Sequence, residues 1–392
     1  MVDLSKLSAI LEKRIQPYVA DNLSKKTLFY NFTQKSTKKP NLIGTTVFYP
    51  VRVGRVANFY GVPDSETTVG RGEPDYKQAQ FSVKLYAGSI EFTKKALSVP
   101  DPEQVVDHLV RITDDVIQDA QWILNYEFIT KDTAEIGTAA NSGSSSTALT
   151  FKPYTVGGTD NGDITAQDLI APGDYIKIGT NTPVQVSAVN GNSVTLATAQ
   201  TWSAGASIKR ATVNGNVEDS MPGLLSIVDD TDFAGLSVAS VPAWQAYKDV
   251  PVSTAVLALP DLYKAFTAIN KLGDVDYIFM NRTLFNKYGS ILQAQIRFTP
   301  TQKLTAGWVG LDFMGGNAQV ILDYHIPSDA IYFISSKNLH RIEIEAPHFE
   351  KGTDGNLLRS YGGLKYEAVL TALLTLACDV RGAHGVVGNR TA

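Results

Sequence analysis

Cys378, Asp379 and His384 are the residues whose types could supply a nucleophile, an orienting acid and a base, and they fall within one short stretch near the C-terminal end of the sequence. A catalytic trio is a spatial arrangement, and closeness along the chain does not create it. Leu374, Leu376 and Ala377 precede the thiol, so Cys378 is expected to behave as a small buried hydrophobe. Asp379 and Arg381 are expected to form an ion pair or an interface contact in a packed strand region. The other histidines, His108, His325, His340 and His348, are scattered, and no two stand at the i, i+4 spacing of a helical zinc pair. His108, beside Asp107, suits a surface or capping role, and His325, in LDYHIPSD, suits a strand end. Neither a G-x-S-x-G elbow nor a G-x-x-x-x-G-K-[ST] phosphate loop occurs, and the glycine-rich pieces TVGRGEPD and FEKGTDGN are expected to be loops. No enzyme activity, metal or cofactor is expected, and a hydrolase using Asp379 and His384 is the weakest of the rival classes.

The totals point to packing instead of chemistry. A chain of 392 residues suggests two or three folded units. Hydrophobic residues make up 44% and charged residues only 19%, which suits close contacts better than a highly solvated monomer. The formal net charge of -4 gives no support to a dedicated nucleic-acid binder. Its distribution is uneven, because residues 1–40 carry eight basic against three acidic side chains, a net of +5. A single cysteine excludes an intrachain disulfide framework and fits a reducing cytoplasm. The first residues, MVDLSKLSAILEKRIQ, are amphipathic and unlike a signal peptide, and no run approaches the length of a membrane span. A soluble, non-exported chain with no membrane partner is expected.

Leu4, Leu7, Ile10, Leu11 and Ile15 recur at helical spacing, with Lys6, Lys13 and Arg14 on other faces, which predicts an amphipathic helix over about residues 3–19. KSTKKP then reads as an extended connector. TTVFYPVRV and KQAQFSVKLYAGSIEF alternate with period two. Pro50 and Pro63 would each interrupt a central ladder, so an exposed two-stranded arm is predicted, one with no local partner surface. Gly70, Gly72 and Pro74 suit a bent tip, with Arg71 exposed there as an anchor for an acidic neighbour. Asp101-Pro102-Glu103-Gln104 is a helix start, and the apolar stripe from Val105 to Phe128 predicts one helix to about Lys131. TAANSGSSSTA reads as a flexible linker. Beyond it, GDYIKIG, VQVSAV, SVTLAT and ASIKRA, with Asn190-Gly191 as a hairpin turn, predict a small inserted β domain. Helices over 260–272 and 282–292 then alternate with strands at 275–280, 318–322, 330–335 and 339–345, a mixed α+β order.

Three stretches, MPGLLSIVDD, VDYIFMNRTLFNKYG and the closing YGGLKYEAVLTALLTLACDVRGAHGVVGN, resemble in order and separation the major capsid proteins of tailed bacteriophages with the Hong Kong 97-type fold. YGVPDSETTVGRGEPDYKQAQFSVKLYAGSIEFTKKAL and LDFMGGNAQVILDYHIPSDAIYFISSKNLHRIE are similar to further parts of that family. The resemblance implies an α+β capsid fold: an N-terminal arm (1–43), an extended β-hairpin loop (44–88), a peripheral domain with a long spine helix (89–137), an inserted small β domain (138–216), a connection (217–249), an axial domain (250–336) and returning strands (337–392). Arg71, Glu73, Lys77, Lys84, Asp379 and Arg381 are the candidates for contacts between subunits. The family sometimes joins subunits covalently through a loop lysine and a peripheral-domain asparagine; Lys77, Lys84 and Asn356 exist, but no motif places them in that chemistry. The insertion is expected to serve contacts within capsomers or the shape of the outer surface.

What the resemblance implies about function is self-assembly. Copies of the chain would form pentamers and hexamers of an icosahedral or prolate shell around double-stranded DNA, which they approach without sequence preference. Portal and scaffolding proteins, and a decoration protein, are the other implied partners, with assembly in the host cytoplasm. An encapsulin-like nanocompartment shell is the alternative, differing mainly in its protein cargo.

Overall fold

Asp101-Pro102 and the apolar stripe behind it produce a helix over Pro102–Ile129, about 42 Å long at about 1.5 Å per residue. This spine helix belongs to a computed structural model that describes residues 32–35, 41–53, 62, 64, 75–93, 102–131, 133–158, 160, 162–229, 231–294, 301–303, 309–313, 318–351, 359–361 and 365–392. The helix expected at 3–19 lies outside the described residues. Ile117, Leu124 and Phe128 are buried along the spine, with Ile112, Val116 and Ala120 packed beside them. From residue 124 to 130 the spine is buried all round, polar residues included, because three bodies converge on it.

The first body is a sheet centred on the strand Lys365–Cys378. Lys84–Thr93 pairs along one side of it over Leu374 to Lys365, while Leu339–Phe349 and Arg359–Tyr361 share the other, all antiparallel. A register shift between Glu343 and His348 bends the Leu339–Phe349 edge.

The second is a closed barrel of Glu135–Ala139, Gly143–Pro153, Tyr175–Ile178, Val184–Asn190, Ser193–Trp202 and Ser207–Ala211. Alternate residues such as Ile136, Phe151, Ile176, Val186, Val194 and Ile208 fill it with a core of its own. Gly191, at φ +57°, makes the turn that Asn190-Gly191 specifies. The TAANSGSSSTA stretch, read above as a flexible linker, is instead strand, turn and strand. Asn141 closes the turn by donating to the Ala148 carbonyl (3.1 Å) and accepting the Thr150 amide (2.8 Å). The small residue at 143 also lets the Trp202 ring lie on the backbone, where a Cβ would come within 2.6 Å of it.

The third body is a seven-stranded mixed sheet, in the order Tyr247–Asp249, Gly385–Val387, Ile331–Ile334, Tyr277–Met280, Ala318–Leu322, Val309–Phe313, Thr301–Lys303. Helices Leu259–Ile269 and Arg282–Ala294 bury Leu262, Phe266, Ile269, Leu284 and Tyr288 in its core. The barrel is tied to this body by acidic side chains in the segment between its strands. Asp163 accepts the Thr283 amide (3.1 Å) at the start of Arg282–Ala294 and pairs with Arg282 (2.9 Å), while Asp160 accepts the Ser328 hydroxyl (2.8 Å). The mixed α+β order read from the sequence is the order observed.

Candidate assembly surface

Thr46–Arg52 and Tyr76–Ser82 pair antiparallel with Thr46 opposite Ser82 and Arg52 opposite Tyr76, and Asn41–Ile43 adds a short third strand. Period-two alternation gives this hairpin two unlike faces. Val47, Val51, Ala79 and Phe81 point inward and are buried. Phe81 meets Phe233 edge-on with ring centroids 5.7 Å apart, Tyr49 stacks on His340 at 5.7 Å, and the Gln80 amide donates to the Ala234 carbonyl (2.9 Å). The expectation that nothing local supports the arm is therefore corrected: its described base rests on the chain's own core. The opposite face carries Phe48, Pro50, Arg52, Tyr76 and Gln78, with Tyr76 58% exposed. Pro50 costs the sheet nothing there, because its missing N–H lies on the side where pairing with Asn41–Ile43 has ended at Phe48.

Of the six sequence candidates for inter-subunit contact, Arg71 and Glu73 lie outside the described residues, as does Asn356. Lys77 is half-buried and stands opposite Val51, on the inward alternation of the hairpin. Lys84 forms an ion pair with the well-exposed Asp219. Asp379 approaches His340, Nε2 to Oδ2 3.4 Å. Arg381 is corrected twice: it is 1% exposed and so cannot meet another subunit in this conformation, and its guanidinium serves the interior in place of an Asp379 pair. Nε donates to the Ile227 carbonyl, Nη1 donates to the Trp244 carbonyl (3.3 Å), and the group lies 5.3 Å from the Phe233 ring centre. Two of the stretches that carry the resemblance, PGLLSIVDD and CDVRGAHGVVGN, thus meet at one side chain.

Burial pushes the Cys378 thiol up, against a small opposing pull from Arg381, and pushes His384 down to about 4. A buried protonated thiol and a buried neutral imidazole are packed side chains and not an activated nucleophile.

Two buried polar clusters carry no sequence motif. Asn125 Nδ2 lies 2.7 Å from His325 Nδ1 and 3.2 Å from Asp323 Oδ2, with the Trp122 ring 4.0 Å from the imidazole. Burial would raise the Asp323 carboxyl, but hydrogen bonds from His325 and Asn125 hold it below the usual range. Around Glu127 stand Tyr86, Arg210, Glu218 and Ser220, and burial, opposed by Arg210 and reinforced by Glu218, raises the Glu127 carboxyl to about 7. Helical spacing placed neither Asn125 nor Glu127 apart from a solvated face, and only the convergence of three bodies on the spine reveals them.

No protein-family model matches the sequence, and a comparison with curated proteins finds no match. Solved structures do match. The capsid asymmetric unit of Cyanophage A-1(L) aligns over 95% of this chain and 99% of its own, at 11% identity and a TM-score of 0.51. The chain shares that capsid fold. Other similar structures are the capsid of a native GTA particle (9% identity, 94% and 91% covered, TM-score 0.48) and the holo-SrpI encapsulin of Synechococcus elongatus PCC 7942 (10%, 89% and 84%, TM-score 0.43). The phage-capsid fold is the one the sequence resemblance implied.

Proposed function

We propose that the chain is a major capsid protein, which assembles with copies of itself into the closed shell of a tailed phage and encloses double-stranded DNA. The observation that carries this reading is the two-faced hairpin: its inner face is anchored on the chain's own core, while Pro50, Tyr76 and Gln78 on its outer face are exposed and Phe48 beside them is half-buried. A sheet face that leaves a tyrosine and a proline exposed among polar side chains is a surface for burial against a second copy. The shared fold supports the same reading. Pentamers and hexamers, portal, scaffolding and decoration partners, assembly in the host cytoplasm and residence in the virion follow as parts of the proposal. The barrel would contribute contacts within capsomers or shape the outer surface.

The test is electron microscopy and sedimentation of the full chain expressed alone and with the neighbouring genes of its source. Closed shells that protect nucleic acid from nuclease are expected. A monomer that persists at high concentration under both conditions would overturn the reading.

A further inference from the structure

The spine helix and the central sheet part company along one stretch. Between Val116, Ala120 and Ile123 of the helix and Leu85, Leu370 and Pro347 of the sheet lies a cleft of about 580 Å³, a size that suits a small molecule. Its wall is mostly apolar, and Leu85 and Ile123 are left 60% and 36% exposed there. Water meets few hydrogen-bonding groups along such a wall, so an apolar body displaces it at a gain.

One polar group on the wall is left over. Thr371, opposite Ala87 in the sheet, is 4% exposed, and its hydroxyl has no hydrogen-bond partner among the described residues. A buried hydroxyl without a partner is costly, and a ligand that brought a hydrogen-bonding group to that point would remove the cost.

The charges at one end of the cleft leave no call for an ionic ligand. Asp219 pairs with Lys84, and Arg210 pulls the Glu218 carboxyl down against the burial that raises it. Asp119, the third carboxyl there, is pushed up by burial and by the charges of Asp115 and Asp174. It would repel an anion, and because it is exposed to water it adds little for a cation.

We propose that this cleft binds one neutral amphiphile, with its apolar body between helix and sheet and a single uncharged hydroxyl or carbonyl group at Thr371. Seated there, the molecule would hold the spine at its present distance from the sheet. The site lies within a single chain, so it stands or falls apart from the assembly reading.

The experiment uses the purified full chain, with N-phenylnaphthylamine as a neutral fluorescent probe and dodecanol, dodecanoate and dodecyltrimethylammonium as competitors below their micelle concentrations. Saturable probe binding is expected, and dodecanol should displace the probe about tenfold more strongly than either ion. Ala120→Phe, which fills the cleft, should abolish probe binding, and Ile123→Trp on the exposed rim should weaken it in a chain whose fold is less at risk. Thr371→Val keeps the shape of a side chain that has no partner to lose, and it should weaken dodecanol about fivefold while leaving the probe unchanged. Absence of saturable binding, or displacement by an ion as strong as that by dodecanol, would overturn the assignment. So would full probe binding by both Ala120→Phe and Ile123→Trp, or a Thr371→Val chain that holds dodecanol as tightly as the wild type.

Discussion

Tyr86 donates its hydroxyl to Glu127 Oε2 at 3.4 Å and accepts the Met221 amide at 2.9 Å, so the strand leaving the hairpin, the spine helix and the segment leaving the barrel meet at one buried carboxyl. Burial is the largest influence on Glu127, with Arg210 opposing it and Glu218 adding to it, and the carboxyl titrates at about 7. An unfolded chain ionises it near 4.5. Folding is therefore free of this penalty below 4.5, loses stability as the pH rises toward 7, and carries the full cost above, about 3 kcal/mol. Glu127→Gln should remove that slope. The difference between the wild-type and variant urea midpoints, measured from pH 4.5 to 8, should widen with pH, and parallel curves would refute the assignment.

Asp323 behaves in the opposite sense. Burial alone would raise it, but the His325 and Asn125 hydrogen bonds hold it below 3.8, so its contribution is present above that value and fades as acid titrates the folded carboxylate. Asp323→Ala should cost about 3 kcal/mol at pH 7, because the His325 ring and Asn125 amide lose a buried acceptor. Thermal melts at pH 7 should show the loss, and an unchanged melting temperature would count against the cluster as a tie between the spine helix and the seven-stranded sheet.

Arg381 and Lys84 make a pair of contrasting tests. Arg381→Met removes the donor to two buried carbonyls, Ile227 and Trp244, at a cost of about 3 kcal/mol. Lys84→Ala breaks a pair whose aspartate is 82% exposed and should cost less than about 1 kcal/mol. Chemical denaturation of both variants reads the ordering directly, and a reversed order would contradict the burial argument.

Gly223 packs against the end of the spine helix, where an added Cβ would lie 2.2 Å from the Thr130 carbonyl oxygen and 2.6 Å from that of Glu127. Both are backbone atoms, so neither can swing aside. Gly223→Ala should destabilise by about 1–3 kcal/mol and lower soluble yield, whereas Gly162→Ala, at a left-handed turn with open space around it, should cost only the backbone strain. Equal melting temperatures for Gly223→Ala and wild type would show that the helix end gives way.

Much of the molecule is legible in local pattern. Asp101-Pro102 and the stripe behind it mark a helix whose observed span is Pro102–Ile129, and Asn190-Gly191 marks a turn between two barrel strands. Alternation in TTVFYPVRV gives the hairpin its two faces. Where local reading failed, a distant residue was responsible. TAANSGSSSTA looked like a linker because its residues are small and polar, yet the bare backbone of Gly143 is what lets the Trp202 ring lie there and donate to the Asn141 carbonyl.

Periodicity and turn chemistry are properties of neighbours in sequence, which is why the sequence alone determined the spine helix, the Asn190-Gly191 hairpin and the apolar side of the arm's strands. It could not determine what comes to lie against those sides. Tertiary structure decided that Arg381 caps an interior junction, that burial raises the Glu127 carboxyl to about 7, and that the hairpin rests one face on its own chain. Each of these depends on desolvation and on partners more than forty residues away, and a charged side chain on a helix or strand reads the same whether water or protein will finally surround it.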